Sequence, residues 1–432
     1  MGERRGFVPA RGIIHLHSPY SHDACDSQPR RDGDTGPIRE DCLAAMRRGL
    51  CESRQDFAVV TDHDDSMADE EFPDLLVPRE SDELVYDAEG DPVASRLRCP
   101  DGHEVLLYVG AENAFMPIFL ERHVAGDVPA RHAIYDATDE AGAAAWREAG
   151  GLVWAPHAEG KDAMLLRMLA IDGMEVFNIH AALDPKLRPL LGLDPTAALT
   201  GAIEFANQDP TGPEPDLAVF ALLDEQTRNV AKWESLLGDS GRRVSVTAGT
   251  DVHENTFPIM LRDGERGDSY RRLMRWMSNV ALVADPREPA SYEVAVAAGR
   301  FFVAFEGIGT PSGFDFRAAS GRRTLAEMGG EIAVGDAARI EVVTPRVHGL
   351  SPALPAPEVF SRIVRVEPGG TARELASGPD TLSVPADAPG AYRVEVRIRP
   401  RHLAPYLGTL TTPGYAEREY AWIYSNPIYV RP

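Results

Sequence analysis

Residues 11–24 of the chain read RGIIHLHSPYSHDA, an apolar strand that ends in a group of potential metal ligands. His15 and His17 are separated by one residue, so both side chains would point to the same side of a strand. Asp23 follows a few residues later. Imidazole and carboxylate groups are common ligands of zinc, manganese and iron. This stretch therefore predicts a metal site at the end of a strand.

Five further stretches repeat this arrangement, each with a short apolar run followed by one or two potential ligands. They are FAVVTDHD (57–64, with His63), LLYVGAEN (106–113, with Glu112), GGLVWAPHAEG (150–160, with His157), GMEVFNIHAA (173–182, with His180) and VSVTAGTDVHEN (244–255, with Asp251 and His253). Any one of them could be an ordinary polar residue or helix cap at a strand end. Explaining all six stretches that way requires six coincidences, so together they predict a multinuclear metal site.

The same stretches indicate an α/β fold. Predicted strands at 12–16, 57–61, 105–110, 151–155, 173–178 and 244–248 alternate with predicted helices at 38–53, 139–149, 217–237 and 270–277. This alternation is typical of a parallel sheet, and ligands at successive strand ends favour a closed barrel with one active rim. The long connections at 64–104 and 181–231 are expected to lie over or beside that rim and to shape a pocket.

Beyond about residue 307 the sequence changes to short β-branched segments punctuated by Pro and Gly, such as YRVEVRIRP and AWIYSNPIYV. These segments predict an antiparallel β-sandwich. The predicted organisation is thus a barrel domain at residues 12–305 and a small β-sandwich domain at residues 307–432.

The formal net charge of −23 argues against a nucleic-acid partner. From residue 306 onward there are 14 acidic and 14 basic residues, so the whole excess lies in the part that carries the ligands. No basic groove is evident there, and a small-molecule substrate is favoured. No apolar run approaches the length of a membrane span, which predicts that the chain has no transmembrane segment.

Four cysteines, Cys25, Cys42, Cys51 and Cys99, could form two disulfides or remain buried thiols. Cys42 and Cys51 are predicted to share one helix, which holds them too far apart to bond with each other. Any bridges would therefore tie that helix to the loops with Cys25 and Cys99. Two disulfides and the abrupt N terminus would favour an extracytoplasmic location, and a cytoplasmic one is expected if the chain is complete as written.

Taken in order, HxHSxxSxD, TDH, the glutamate of GAEN, the histidine of APH, a later histidine and GTDxH resemble the PHP (polymerase and histidinol phosphatase) superfamily of metal-dependent phosphoesterases. The resemblance covers residues 12–305. The chain departs from the commonest pattern at Ile13, where many relatives carry Asp, and at Asp23, where some carry His. The segment AGRFFVAF (298–305) and the β-rich region ending in SNPIYV (425–430) resemble the CehA/McbA-type branch of these hydrolases.

The resemblance implies a distorted (β/α)7 TIM-like barrel with two or three divalent ions of Zn, Mn or Fe. It implies three ligand groups, with Glu112 bridging the first two: His15, His17, Glu112 and Asp251; Glu112, His157 and His180; and Asp23, His63 and His253. Glu112 and Asp251 would be central to catalysis. Asp62, beside His63, is either an outer residue that orients a ligand or a cap.

The favoured function is hydrolysis of a small phosphomonoester or diester by a hydroxide that bridges two metal ions. The first alternative is a carboxylic or carbamate ester hydrolase that uses the same site. The second is a non-catalytic metal-binding protein with a β-sandwich interaction module. A nuclease or proofreading role is disfavoured by the acidic barrel. His123, Arg262 and Arg300 are weaker candidates for contacts with an anionic substrate.

Overall fold

The computed structural model describes residues 5–31, 33, 36–239, 241–408, 410 and 414–432. Its strands are β1 (Val8–Leu16), β2 (Phe57–Val60), β3 (Glu83–Tyr86), β4 (Pro92–Arg98), β5 (Glu104–Val109), β6 (Met116–Ile118), β7 (Leu152–Ala155), β8 (Gly173–Asn178), β9 (Ser245–Val252), β10 (Ser278–Val283), β11 (Phe301–Ala304), β12 (Pro311–Ser312), β13 (Asp315–Ser320), β14 (Arg323–Glu327), β15 (Glu331–Ala333), β16 (Arg339–Val343), β17 (Arg346–Val347), β18 (Glu358–Val366), β19 (Ala372–Gly378), β20 (Leu382–Pro385), β21 (Gly390–Arg399), β22 (Tyr420–Ser425) and β23 (Ile428–Arg431).

The α-helical segments are α1 (Ala24–Ser27), α2 (Glu40–Glu52), α3 (Asp64–Met67), α4 (Phe72–Leu75), α5 (Val128–Tyr135), α6 (Glu140–Glu148), α7 (Ala163–Met168), α8 (Ile179–Leu183), α9 (Arg188–Leu191), α10 (Ala197–Phe205), α11 (Thr227–Leu237), α12 (Tyr270–Met274) and α13 (Ala290–Ala297). Short 3-10 helices occupy Ala158–Gly160, Pro215–Leu222, Glu306–Ile308, Val334–Asp336 and Arg401–Tyr406. The protein is therefore of mixed α/β class, as predicted.

A large mixed sheet places the ends of the predicted strands side by side. Parallel pairs join β1 to β2, β2 to β5, β7 to β8, β8 to β9 and β9 to β1. β6 is antiparallel to β7, and a single β-bridge joins Val109 to Leu120. With these pairings the sheet is closed, without a free edge between β5 and β7. Since parallel neighbours end at the same edge, the residues that follow β1, β2, β5, β7, β8 and β9 converge.

All six predicted strands are present, and their composition explains why they form. Strands β2 (FAVV) and β8 (GMEVFN) are buried along their whole length, which is typical of parallel strands covered on both faces. Outside the sheet, α2 buries one face that includes Leu43, Met46 and Leu50. Ala10, Ile14 and Phe57 belong to a second apolar cluster. It is separate from the cluster that contains the buried residues of α2.

One predicted helix is wrong in detail, and one long connection contains more regular structure than a loop. The single helix expected at residues 217–237 is broken, because Gln226 turns onto β8, where its amide donates to the carbonyl oxygen of Asn178 at 2.8 Å. The connection at 64–104 contains α3, α4 and the hairpin β3–β4, which extends the sheet from β5. That this connection lies over or beside the rim and shapes a pocket stays a prediction.

The C-terminal region adds further antiparallel sheets. Strands β14, β13, β16 and β20 form one four-stranded sheet. Strands β10 and β11, which were not predicted from the sequence, extend the large sheet from β1 to β22, because β10 pairs with β1 and β11 pairs with β22. β15 and β23 pair in parallel, so the expectation of a purely antiparallel region is wrong. The predicted boundary at 305–307 follows directly on β11, and the division into two domains stays a prediction.

Two disulfides fasten α2 as the sequence suggested. Cys25 bonds with Cys42, and Cys51 bonds with Cys99. The first bridge joins α2 to the turn that follows Asp23. Among the described residues, no helix is both long and apolar enough to cross a membrane.

Candidate metal centre

The nine predicted ligands come together at one end of the parallel strands. His15 lies near the end of β1 and His17 just after it, His63 follows β2, Glu112 follows β5, His157 follows β7, His180 follows β8, and Asp251 lies near the end of β9 with His253 just after it. Asp23 lies in the turn after β1. Solvent exposure differs across the cluster: the side chain of His15 is fully buried, whereas that of His180 is 28% exposed.

Glu112 is one of two carboxylates at the middle of the cluster. Its Oε2 atom is 3.1 Å from His15 Nε2, 3.2 Å from His17 Nε2 and 3.7 Å from His63 Nε2. Its Oε1 atom is 3.3 Å from His157 Nε2. One carboxylate thus faces four imidazole rings.

Asp251 is the second such carboxylate, and each of its oxygens faces at least two rings, three of which also face Glu112. Oδ1 lies 3.3 Å from His15 Nε2, 3.2 Å from His17 Nε2 and 3.7 Å from His253 Nδ1, and Oδ2 lies 3.0 Å from His157 Nε2 and 3.4 Å from His180 Nδ1. Asp23 completes the outer side, with Oδ2 3.3 Å from His253 Nε2 and 3.6 Å from His63 Nε2.

These spacings suit ligands of shared cations. Two atoms that are each about 2.1 Å from one ion stand about 3.0 to 3.4 Å apart at octahedral to tetrahedral angles. Among the described residues, the Nε2 atoms of His15, His17 and His253 meet no partner at hydrogen-bonding angles, although carboxylate oxygens lie 3.1 to 3.3 Å away. Buried nitrogens in native proteins normally have a partner. The donor set therefore fits divalent metal ions.

His253 shows this most clearly. Its Nδ1 is 2.6 Å from the carbonyl oxygen of Asp251, which can only accept, so Nδ1 carries the proton. Burial lowers the pKa of His253 to about 4, so the ring is neutral and Nε2 has a free lone pair. That lone pair faces the Asp23 carboxylate at 3.3 Å. Two acceptors at this distance are stabilised by a cation between them.

The electrostatics of the inner residues are dominated by the two carboxylates. Burial raises the pKa of Glu112 and of Asp251, but the neighbouring imidazoles outweigh burial and hold both values well below their ordinary range. Burial lowers the pKa of His17, but Asp251 and Glu112 outweigh it and raise that pKa to about 10. The carboxylates are thus ionised and attract positive charge.

The backbone is strained at three of the candidate ligands. His15, His157 and Asp251 have positive φ values of 84°, 46° and 49°. At His15 the pairing of β1 with β9 also shifts register, as in a β-bulge that redirects a side chain. Such conformations are costly for residues other than glycine and concentrate at functional sites.

The structure groups the donors differently from the resemblance. Donor atoms that lie mutually close form three sets: His15, Glu112, His157 and Asp251; His17, His63 and Glu112; and His17, Asp251 and His253. His180 approaches Asp251. The assignment of ligands to individual ions therefore stays a prediction, while the nine residues form one cluster.

Sequence reasoning missed the carboxylates behind the histidines. Glu175 of β8 is fully buried, and its Oε1 lies 2.7 Å from His15 Nδ1, while its Oε2 accepts from the backbone N–H of His157 at 2.9 Å. Glu159 lies 3.2 Å from His157 Nδ1. A carboxylate in this position orients an imidazole and makes it a stronger ligand. The signal in the sequence is a single charged residue in the predicted strand GMEVFN.

We expect Glu175→Gln to weaken metal binding about 10- to 100-fold. The neutral glutamine amide would bind the His15 ring and the His157 backbone N–H less strongly than the glutamate carboxylate does. Isothermal titration with Zn²⁺ or Mn²⁺ would measure the affinity. Glu148→Gln, on an exposed part of α6, is the matched control and should bind metal like the wild type. Equal affinity in the two variants would contradict a positioning role for Glu175.

Asp62 is bound to the loop after β1 rather than to a cluster histidine. Its two oxygens accept from the backbone N–H and the hydroxyl of Ser18, each at 2.6 Å. Burial raises the pKa of Asp62 to about 6. The geometry indicates that Asp62 fixes the Ser18 turn beside His17. A direct catalytic role for Asp62 stays a prediction.

The three predicted substrate contacts are engaged elsewhere. His123 contacts a tyrosine hydroxyl at 3.2 Å and a backbone carbonyl oxygen at 3.0 Å. Arg262 donates to Glu214 at 2.9 Å. Arg300 donates to the carbonyl oxygen of Leu282, a residue that pairs with the start of β1. Arg300 therefore lies at the end of β1 opposite to the cluster, and the structure brings none of the three into contact with it.

Comparisons with known proteins give weak likenesses. No family model and no curated protein matches the chain. Among solved structures, it is similar to a two-domain protein containing a predicted PHP-like metal-dependent phosphoesterase from Bacteroides vulgatus (11% identity, 98% of this chain and 96% of that one, TM-score 0.38). It is also similar to PsfC from Pseudomonas syringae (13%, 63% and 82%, TM-score 0.33) and to a lesion-specific endonuclease from Pyrococcus furiosus (12%, 70% and 57%, TM-score 0.32). With TM-scores this low, neither family nor activity is inferred from these likenesses.

Proposed function

We propose that this protein is a PHP-type metal-dependent hydrolase that cleaves a small phosphomonoester or diester. The observation that carries the proposal is the cluster in which Glu112 and Asp251 face imidazole nitrogens at ligand spacing. Two or three divalent ions bound there would lower the pKa of water and act as Lewis acids. Glu112 and Asp251 supply the negative charge that would hold such ions. Hydrogen bonds to Glu175 and Glu159 orient the imidazole rings of His15 and His157.

The open side of the cluster is where a substrate would enter, beside the partly exposed rings of His63, His157 and His180. Lys161 is half-buried four residues after His157, and its Nζ atom lies 5.6 Å from the ring centroid of Phe115. No hydrogen bond or ion pair of this ammonium is found among the described residues. Burial lowers the pKa of Lys161, and the negative charges of Glu112, Glu159 and Glu175 act in the opposite direction. We assign Lys161 to the contact with an anionic phosphoryl oxygen.

One observation favours the second candidate, a carboxylic or carbamate ester hydrolase. Apolar side chains, among them Ile179 and Leu183, line the side of the centre beside His180. An uncharged ester would contact these side chains without placing a charge against hydrocarbon. Both activities would use the same nine residues.

One experiment separates the two activities. Turnover of bis(p-nitrophenyl) phosphate, p-nitrophenyl phosphate and an aryl carbamate is measured before and after chelation, in wild type and in Lys161→Met. We expect metal-dependent hydrolysis of a phosphate ester and a loss of about tenfold or more in its kcat/KM in the variant, because a charge-assisted hydrogen bond is removed. The exposed Lys186→Met is the control. Cleavage of the carbamate alone, unaffected by Lys161→Met, would refute the phosphoesterase and support the alternative.

We also propose that the closed sheet is a distorted (β/α)7 barrel at residues 12–305 that carries residues 307–432 as a second domain. The two disulfides favour an oxidising, extracytoplasmic compartment. The excess negative charge of the first 305 residues disfavours a nucleic-acid substrate. Membership of the CehA/McbA-type branch stays a prediction.

A further inference from the structure

An apolar cavity opens directly beside the metal centre. His180 and Asp251 form one side of it, and α10 and the 3-10 helix Pro215–Leu222 contribute the apolar side chains Ala202, Val219 and Leu222. The empty space, including its open mouth, is about 460 Å³, and little of it is wide enough to admit a water molecule. The cavity, called the slot below, is therefore narrow, and it is continuous with the cluster.

The polar groups in its wall are already bonded within the protein. The Asp268 carboxylate accepts from the backbone N–H groups of Thr256 at 2.8 Å and Phe257 at 2.7 Å. The hydroxyl of Thr250 donates to the carbonyl oxygen of His15 at 2.9 Å. What these residues present to a ligand is hydrocarbon.

The charge of the wall also selects its occupant. Asp251 and Asp268 are the carboxylates among the lining residues, and no lysine or arginine lines the slot in the described part of the chain. A phosphate or carboxylate placed there would find no lysine or arginine among the described residues of the wall to pair with, and Arg266 behind it already pairs with Asp268 at 2.5 Å. An uncharged apolar group loses no hydrogen bond and removes hydrocarbon surface from water.

We propose that this slot binds a slim, uncharged apolar group of the substrate, such as a phenyl ring, while the ester bond lies at the metal centre. The proposal rests on the proposed function for the position of the ester, and the slot is a binding site in its own right. The protein would thus act on aryl or unbranched alkyl esters, in preference to esters of charged or heavily hydroxylated groups.

The test narrows the slot by placing a larger side chain on α10. Ala202→Leu adds bulk to the wall, and Ala197→Leu makes the same substitution at an exposed position of the same helix. For the ester class that the enzyme cleaves, kcat/KM is measured for the phenyl and the methyl ester. We expect the phenyl-to-methyl ratio to fall about tenfold or more in Ala202→Leu and to stay at the wild-type value in Ala197→Leu. An unchanged ratio in Ala202→Leu would overturn the proposal.

A binding measurement keeps the slot separate from hydrolysis. Saturation-transfer NMR with benzyl alcohol should detect binding to the wild type and to Glu112→Gln, and loss of binding in Ala202→Leu. Val219→Thr, which keeps the side-chain size and adds a hydroxyl, should also weaken binding and is available if Ala202→Leu fails to fold. Binding without turnover would refute the proposed function alone, whereas turnover without benzyl alcohol binding would refute the slot.

Discussion

Glu112→Gln and Asp251→Asn should each lower hydrolysis by at least about 10³-fold and reduce the content of bound metal. Each substitution keeps the size of the side chain but removes the charge that faces several imidazoles at 3.0 to 3.7 Å. The amides can no longer hold cations against the mutual repulsion of the ions. Because the two carboxylates act on the same centre, the double variant should lose little more activity than either single one.

The measurement is elemental analysis after dialysis, together with turnover and the circular dichroism spectrum. Asp263→Asn is the matched control, because Asp263 belongs to another group of three acidic residues, with Asp216 and Glu265. That group is neutralised by arginines, including Arg272, which lies 2.9 Å from Asp263, so its loss should not change the metal content. Wild-type metal content in both centre variants would show that the ions, if any, bind elsewhere.

The sequence predicted the members of this cluster because the signal is local. An apolar run followed by a histidine or carboxylate is visible without knowing the fold, as in TDH and GTDVH. The βα alternation then implies that the strand ends meet at one edge. Nine residues spread over 239 positions, from His15 to His253, could therefore be assigned to one site from pattern alone.

Contacts that depend on the folded backbone could not be predicted in this way. Gly249 looks unremarkable in AGTD, yet a Cβ at this position would collide with the Glu175 carboxylate that orients His15. Which carboxylate oxygen faces which ring depends on the left-handed conformations of His15 and Asp251. No periodic pattern encodes a single positive φ.

Long-range pairing limited the prediction of the fold for a similar reason. β11 pairs with β22 although about 120 residues separate Phe302 from Ser425, and short apolar segments carry no mark of their partner. The slot beside His180 is formed by α10, a 3-10 helix and residues after β9, so it becomes visible only when these segments are packed together.

The two disulfides should have separable effects. Cys25–Cys42 closes 17 residues and Cys51–Cys99 closes 48, for which chain entropy predicts stabilisation by about 3 and about 4 kcal/mol. The first bridge also holds the turn after Asp23, where the N–H of Cys25 donates to the carbonyl oxygen of His253 at 2.8 Å. We therefore expect Cys25→Ser/Cys42→Ser to lower both the unfolding midpoint and the metal content, because Asp23 is released from His253.

Cys51→Ser/Cys99→Ser is the matched control, since it removes the longer bridge without touching a donor. It should lower the unfolding midpoint in urea at least as much, yet retain wild-type metal content below the transition. Replacing both cysteines of a pair leaves no new free thiol to exchange with the remaining bridge. If the Cys25→Ser/Cys42→Ser variant kept its metal while the Cys51→Ser/Cys99→Ser control lost it, the turn at Cys25 would not be what positions Asp23. That result would place the support of the outer donors in the bonds of Asn255 to Asp23, at 3.0 Å to its carbonyl oxygen, rather than in the disulfide.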